Sequence, residues 1–464
     1  MYTNKPDFLK SGERARLFPV LADTSKEGRA TSIFLACLSN VDEYANGLLS
    51  SVGRPIGPNS RVEAFTEVVF NKGADEMTGR PDGLITVRTG SSTWSALIEA
   101  KIGNSCLHSD QINSYLRIAK SNDVDAVITI SNEYAATPSH HPVQLTRRGV
   151  PQVALYHWSW MRLLTEADLL ITNNDVQDTD QRFILNELRR FLAHESTGVR
   201  GFHRMPPEWP DLVRDISAGR QPGATSTDVR AVVSAWHQET HDLCLSLSRQ
   251  TGATVRARLT RAQASDHQRR LKEDTERFAS DQHLHSSLIV PGAAADIDIC
   301  IDVRARSMTA SMTLDTPTDR QSTAARINWQ LRQLKDVDAN DIYVRVHWPR
   351  RGFSQHTLKE LREDVNIAVS RHPDLVPKTL EICMVRMPQG RFIQVRNFVD
   401  DLEQLIPDFY IAIGQSLRAW QPPAPKARAD RRAPEDVTPA AIEEDAEQET
   451  NRPERRFPWR RGTD

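Results

Sequence analysis

The sequence predicts an α/β fold, in which a mixed central sheet is flanked by helices and followed by a second α/β or α+β domain. Three observations support this prediction. Short β-branched or aromatic segments alternate with segments whose apolar residues recur at helical spacing. The chain has 464 residues, which is enough for two or three domains. Its 39% hydrophobic and 26% charged content is ordinary for a globular protein.

The composition also indicates where the protein works and what it binds. No run approaches the length of a membrane-spanning helix, and the N-terminus leads into no apolar signal region, so we expect no membrane partner. Five scattered cysteines without metal spacing indicate reduced thiols in a cytoplasmic protein. The formal net charge of -2 counts mildly against tight non-specific nucleic-acid binding, although a local basic patch or a metal can suffice.

Changes in composition divide the chain into four predicted segments. Residues 1–200 form a first domain, and the Pro- and Gly-punctuated residues 201–224 form a linker. Residues 225–420 form an α+β domain for recognition, regulation or assembly, through which the chain can bind a protein partner or a second copy of itself. Residues 421–464 are rich in Pro, Ala and both charge signs, so we predict a disordered tail.

The first domain opens with a helix and three strands. From Gly28 to Gly53 the apolar residues recur at helical spacing. Strands are predicted over Glu63–Phe70, Arg80–Val87 and Trp94–Ile102, because each segment is β-branched or aromatic and is bounded by Gly, Asn or Ser.

A polar pair interrupts the third of these strands. Glu99 and Lys101 point to one face while the apolar neighbours point to the other. The carboxylates of Asp82 and Glu99, on neighbouring strands, can share a hard cation such as Mg²⁺. Lys101 then lies beside a metal-bound water, which it can position or deprotonate. An exposed Glu-Lys pair on a wet strand face is the structural alternative.

A predicted helix follows this strand and adds two polar side chains. Ser109 and Asp110 begin it, and Gln111 and Tyr115 share one face because they are four residues apart. The motifs RPDG, EAK and QINSY, in this order, resemble the PD-(D/E)xK nuclease superfamily, and the QxxxY element is similar to its RecB-like branch.

The resemblance covers roughly the first 200 residues and implies a restriction-endonuclease-like fold. It implies that Asp82 and Glu99 hold Mg²⁺ or Mn²⁺, together with the carbonyl that follows Glu99. It implies that Lys101 assists the attacking water, while Gln111 and Tyr115 orient the substrate or the site.

Some members of this superfamily add an acidic residue from the preceding helix or the first strand. Glu27, Glu63 and Glu67 are the candidates here. We expect Glu67 to join the metal site, since it lies in the first strand with Phe65 and Val69 on its own face. For each of these three residues, a solvated surface carboxylate is an equally good interpretation.

Further patterns complete both domains. His140 and His141 suggest a metal site, but without a partner at ligand spacing they indicate a surface loop. Asp296, Asp298 and Asp302 share one face of a strand, which favours a solvated face over a cation site. The remaining predicted elements are the strands Asp125–Ile130, Val150–His157, Ala253–Thr260, Asp296–Val303, Met308–Leu314, Asp341–His347 and Leu380–Arg386, and the helices after Ser159, Gln181–His194, Thr225–Arg249, Arg261–Gln282 (exposed), Thr318–Leu334, Ser354–Ser370 and Phe392–Trp420.

The sequence therefore predicts a metal-dependent nuclease that hydrolyses phosphodiester bonds, with DNA favoured over RNA. A role in defence or repair is expected from family analogy alone. The alternative is a catalytically silent nuclease-fold scaffold that acts through its second domain.

Overall fold

Two β-sheets and the helices packed on them organise the chain in the computed structural model, which describes residues 5–19, 26–70, 80–135, 137–143 and 152–422. Residues up to Trp420 belong to one compact unit. The predicted tail lies, from residue 423 onward, outside the described residues. Within the described ranges, no helix is both long and apolar enough to span a bilayer.

The first sheet has six strands in the order of the chain. The first four pair antiparallel, whereas the last two add in parallel, so the sheet is mixed as predicted. The strands are β1 Leu9–Arg14, β2 Ser60–Phe70, β3 Gly83–Thr89, β4 Ser92–Ala100, β5 Ala126–Ser131 and β6 Ala154–Ser159.

Helices cover both faces of this sheet: α1 Lys26–Asn40, α2 Asp42–Ser50, α3 Ser109–Ser121, α4 Trp160–Thr172 and α5 Thr179–Ala193. Side chains alternate along β4, so Ile98 packs into the core formed with α1, α2, α4 and α5, while Leu97 packs into the core formed with α3. Ser159 caps α4 as predicted, its Oγ accepting from the Arg162 backbone N–H at 3.1 Å. Glu99 and Lys101 are two and four residues after Leu97, so the alternation of the strand directs their side chains to the same face as Leu97, towards α3.

The second sheet has seven strands in the order β12-β11-β13-β10-β9-β8-β7, paired antiparallel throughout. Its strands are β7 Arg256–Ala257, β8 His283–Ile289, β9 Ile297–Asp302, β10 Ser307–Asp315, β11 Ile342–Trp348, β12 Gly352–Thr357 and β13 Thr379–Arg386. The helices of this half are α6 Trp209–Ser217, α7 Thr227–Thr251, α8 Arg261–Ser265, α9 His267–Asp281, α10 Thr323–Gln333, α11 Leu358–Glu363, α12 Asn366–Arg371 and α13 Asn397–Ala412.

Helix α7 joins the two halves. Most of its apolar side chains fill the core of the second sheet, but Leu245 belongs to the core of the first. Near its end, the Arg249 guanidinium donates to Thr165 Oγ1 of α4 at 2.8 Å. The 25-residue helix therefore fastens the second sheet to the helical layer of the first.

Several predictions of local structure are wrong, and capping explains most of them. The predicted strand Ala253–Thr260 shrinks to the two residues of β7. The predicted exposed helix Arg261–Gln282 breaks at Asp266, whose side chain caps α9, and α9 is not an exposed helix because it buries Leu271 and Phe278.

The predicted helix Ser354–Ser370 begins as strand β12, and a capping box at Thr357 starts α11 only afterwards. The predicted helix Phe392–Trp420 is helical only over α13, which is preceded and followed by short 3-10 turns. Helix α10 also begins five residues later than predicted, where Ser322 supplies its cap.

Candidate active site

The candidate site forms where β3 begins and β4 ends. Gly83 pairs with Ile98 across the two antiparallel strands, so Asp82 and Glu99 are the next residues along the register. A Cβ on Gly83 would lie 2.9 Å from the Phe65 carbonyl oxygen and 2.5 Å from a Leu35 methyl group, which leaves no room for a side chain. The glycine after Asp82 thus allows β3 to start close against β2 and α1.

Glu99 lies at the centre of a hydrogen-bond network. It is 1% exposed, and its Oε1 accepts from Lys101 Nζ at 2.5 Å and from Gln111 Nε2 at 2.8 Å. Asp82 Oδ2 accepts from the Ala100 backbone N–H at 2.8 Å, which holds this carboxylate at the end of β4. The pair that interrupts the apolar strand is therefore buried, and is not an exposed edge pair.

Helix α3 supplies the other two predicted side chains. Gln111 Nε2 donates to the Tyr115 hydroxyl at 2.9 Å, as expected for residues one turn apart. The Tyr115 hydroxyl donates in turn to the Arg80 carbonyl at 3.2 Å, which ties the helix to the residue before Pro81. The structure thus brings Asp82, Glu99, Lys101, Gln111 and Tyr115 together.

The backbone of Lys101 is held from two sides. Its N–H donates to the Ile130 carbonyl at 2.7 Å, and its carbonyl accepts from Trp160 Nε1 at 2.8 Å. Since Trp160 is the first residue of α4 and Ile130 lies in β5, the backbone of the lysine is positioned by the neighbouring strand and by one helix.

The charges of the site act on one another strongly. Burial, and then the negative charge of Glu99, raises the pKa of Asp82 to about 7. Burial also raises the pKa of Glu99, against the opposing effect of Lys101. For Lys101, burial lowers the pKa, but the hydrogen bond and charge of Glu99 outweigh it, so the pKa stays above its ordinary value. The two carboxylates of Asp82 and Glu99 together carry more negative charge than the single ammonium of Lys101 neutralises. A further cation bound here would therefore be stabilised.

The donor set fits a hard divalent metal ion. Glu99 Oε2 is buried and has no hydrogen-bond partner, and a buried orphan oxygen requires a ligand or a proton. Asp82 and Glu99 offer only oxygen, as Mg²⁺ and Mn²⁺ prefer. Among the residues described, no third carboxylate joins Asp82 and Glu99 in a group whose oxygens all lie within 4.8 Å of one another. Water would therefore complete the coordination of an ion bound here.

Glu27, on α1, is the upstream acidic residue nearest to Lys101. Its Oε2 lies 3.6 Å from Lys101 Nζ, and its Oε1 accepts from the Ile102 backbone N–H at 3.4 Å. Glu63 instead binds Arg14, at 2.6 Å, and Arg61, at 3.3 Å.

Glu67 occupies a bulge in β2. Its φ of +55° lies in the left-handed region, which is unusual for a residue with a side chain. The bulge shifts the alternation of the strand by one residue, so that Val68 is buried instead of Val69. Our expectation that Glu67 shares a face with Phe65 and Val69 is therefore wrong. Its side chain is half exposed and pairs with Arg80 at 2.9 Å.

A cleft of about 170 Å³ opens beside the site and is lined by both Glu67 and Asp82. Arg14 and Arg16, at the end of β1 and just after it, line the same cleft. We did not predict these arginines, because β1 pairs with β2 across a long sequence separation that only the sheet register reveals. Two guanidinium groups near a carboxylate pair can contact the phosphates of a substrate.

The two adjacent histidines are half buried, contrary to the surface loop expected for them. His141 Nε2 lies 2.8 Å from Thr129 Oγ1, which also contacts His157 Nδ1 at 2.8 Å. Burial, followed by the neighbouring His141, lowers the pKa of His157 to about 3, so this ring is neutral. His141 and His157 therefore contact the same hydroxyl group of β5.

A second polar cluster, which the sequence analysis missed, lies on the second sheet. Asp281, His283 and His285 each place one ligand atom within 4.8 Å of the others and could hold a metal ion. Asp281 Oδ2 is 3.1 Å from His285 Nε2, and His283 Nε2 is 3.3 Å from Asp302 Oδ2. The alternating spacing in DQHLH was the available signal, since i and i+2 share a strand face.

Comparison of the chain with protein-family models, curated proteins and solved structures finds no match in any of the three. The function must therefore be inferred from the geometry and chemistry of the site.

Proposed function

We propose that the chain is a metal-dependent nuclease that hydrolyses phosphodiester bonds, with DNA as the favoured substrate. The observation that carries the proposal is the buried carboxylate of Glu99. Its Oε1 is shared by Lys101 and Gln111, its Oε2 is unpartnered, and Asp82 lies beside it. The order α1, α2, β2, β3, β4, α3, β5 supports the restriction-endonuclease-like fold that the sequence motifs imply.

Asp82 and Glu99 are the residues that would hold Mg²⁺ or Mn²⁺. When bound, such an ion stabilises charge on a phosphate and lowers the pKa of a bound water. Lys101 is 15% exposed in its side chain and stays protonated near neutral pH. We infer that it positions the attacking water and stabilises negative charge, instead of removing a proton as a free amine.

Gln111 and Tyr115 act as positioning residues. Gln111 fixes Glu99 by donating to Oε1, which leaves Oε2 free for a ligand. Tyr115 holds Arg80, and Arg80 in turn pairs with Glu67 at the cleft. Arg14 and Arg16, which line the cleft together with Asp82, are candidates for phosphate contacts.

The test is cleavage of labelled linear, circular, single-stranded and double-stranded DNA and RNA in Mg²⁺ or Mn²⁺, each compared with EDTA. We expect metal-dependent cleavage by the wild type, and a loss of at least a hundredfold in Asp82→Asn, since general acid–base and metal contributions are of this size. Cleavage that survives in Asp82→Asn would show that the site is elsewhere. Absence of cleavage on every substrate would refute the proposed activity of the isolated chain.

A further inference from the structure

A cavity of about 530 Å³ lies between the two halves of the molecule, away from the candidate active site. Helix α4 of the first half and helix α7 of the second half supply much of its wall, and β7, α8 and α9 contribute to the rest. Its volume falls within the range of about 300 to 1,000 Å³ that small-molecule sites occupy.

The charged groups that line this cavity are mainly cationic. Arg162, Arg256 and Arg270 all line it, whereas Glu166 is its one acidic lining residue among those described. Glu166 is itself largely buried, and burial raises the pKa of its carboxyl group, which weakens its negative charge. His237 and His241 line the cavity as well. Burial lowers the pKa of each to about 4, so both rings are neutral near pH 7.

Two of the arginines are incompletely paired. Arg162 Nε is buried without a hydrogen-bond partner, and the guanidinium of this residue is 3.8 Å from the nearest oxygen of Glu166. Arg270 is 6% exposed, and its Nε is 3.5 Å from Asp274 Oδ2, an oxygen that also lies 2.7 Å from His237 Nε2. Arg270 and the Nε of Arg162 are therefore shielded from water without a full set of protein partners, while the rest of the Arg162 side chain, 31% exposed, stays accessible.

The cavity is also lined by aliphatic side chains: Leu169, Leu245, Val255, Leu259 and Ile289. A lining that combines cationic and aliphatic side chains suits a ligand that has an anionic group and an organic body. The planar fork of arginine matches phosphate oxygens in particular.

From these observations we propose that the cavity between α4 and α7 binds an organic phosphate of mononucleotide size, with Arg162 and Arg270 contacting the phosphate. The aliphatic side chains contact the organic body, which inorganic phosphate lacks. The chain would thus have a second ligand site where its two halves meet, independently of whether the carboxylate site cleaves nucleic acid.

Calorimetric titration in EDTA tests this proposal without any contribution from cleavage. The probes are AMP, ATP and glucose 6-phosphate, with adenosine and inorganic phosphate as the two halves of the proposed ligand. We expect at least one organic phosphate to bind with a dissociation constant below 1 mM, and both half-ligands to bind at least tenfold more weakly.

Matched variants locate the binding. Arg162→Gln and Arg270→Gln should each weaken binding at least tenfold, whereas Arg269→Gln, an exposed neighbour on α9 that pairs with Glu273, should stay within twofold of the wild type. Arg162→Lys keeps the charge and should lie between these limits. Because Arg270 is buried, its replacement can unfold the protein, so the urea midpoint of Arg270→Gln is measured in parallel. If Arg270→Gln is unfolded, the Arg162 variants alone decide the outcome.

The proposal is overturned if no organic phosphate binds the wild type, if inorganic phosphate binds as tightly as the organic phosphates, or if binding is indifferent to the Arg162 substitutions.

Discussion

Replacing Asp82 by Asn tests whether the buried carboxylates strain the metal-free protein. The amide oxygen of Asn can still accept from the Ala100 N–H, so the substitution removes a charge and little else. Burial and Glu99 raise the pKa of Asp82 from 3.8 to about 7 in the folded state. The folded chain therefore binds this proton more tightly than the unfolded chain does.

The sign of the effect on stability follows from this difference. The stabilisation from protonated Asp82 is fully present below about pH 4, and it is lost as the pH rises through 7. About three pKa units at 1.36 kcal/mol each give at most about 4 kcal/mol. In EDTA, Asp82→Asn should equal the wild type near pH 4 and exceed it by up to about 4 kcal/mol at pH 9.

The assay is urea unfolding followed by tryptophan fluorescence, at several pH values between 4 and 9. Saturating Mg²⁺ should reduce the difference at high pH, because an ion that binds only the folded wild type at a hundred times its dissociation constant adds about 2.7 kcal/mol. The reasoning is refuted if the wild type and the variant keep a constant difference across the whole pH range, with or without Mg²⁺.

Three further predictions concern other contacts. Tyr115→Phe removes the hydroxyl that donates to the Arg80 carbonyl and should lower the free energy of unfolding by about 1 kcal/mol; an unchanged urea midpoint would contradict this. Gln282→Gly should raise the stability by about 0.5 to 1 kcal/mol, since Gln282 ends α9 at a φ of +61°, and a lower melting temperature would argue against that account. His157, held neutral with a pKa of about 3, contributes stability that is full above about pH 6.5 and lost as the pH falls towards 3. The acid-induced loss should be smaller in His157→Gln, and equal losses by circular dichroism would refute the assignment.

The architecture was largely predictable because its signals are local. β-branched and aromatic content placed β4, alternation placed β9, and helical spacing placed α7 and the segment of α1 and α2, although it did not show the break between these two helices at Val41. The mixed sheet of the first half and the presence of a second sheet are confirmed. The errors arose where a cap decides between helix and strand: Thr357 ends β12 and begins α11, a choice that the apolar pattern of the segment does not show.

The residues of the candidate site were predictable as a set, but their geometry was not. The spacing of Glu99 and Lys101 on a strand, and of Gln111 and Tyr115 on a helix, already placed each pair on one face. The bulge at Glu67 was hidden, because a left-handed residue with a side chain has no sequence signature comparable to glycine. The approach of Glu27 to Lys101 depends on tertiary packing of α1, which no local pattern specifies.

The cavity between α4 and α7 was equally beyond prediction from sequence. Arg162 and Arg270 are more than a hundred residues apart, and each reads as an ordinary surface position of an amphipathic helix. Only the docking of α7 on α4 brings them to one space. Partner and oligomeric state, together with the cytoplasmic location, stay predictions.

The most direct test of the central claim is the single-turnover cleavage rate, in saturating Mg²⁺, of the wild type, Lys101→Met and Lys359→Met. The last variant is the control, since Lys359 is an exposed lysine on α11. The account predicts a loss of at least about a hundredfold for Lys101→Met and less than about twofold for the control, with urea unfolding used to show that both variants are folded. A Lys101→Met protein that is folded and cleaves within about threefold of the wild type would contradict the assignment of Lys101 to the attacking water.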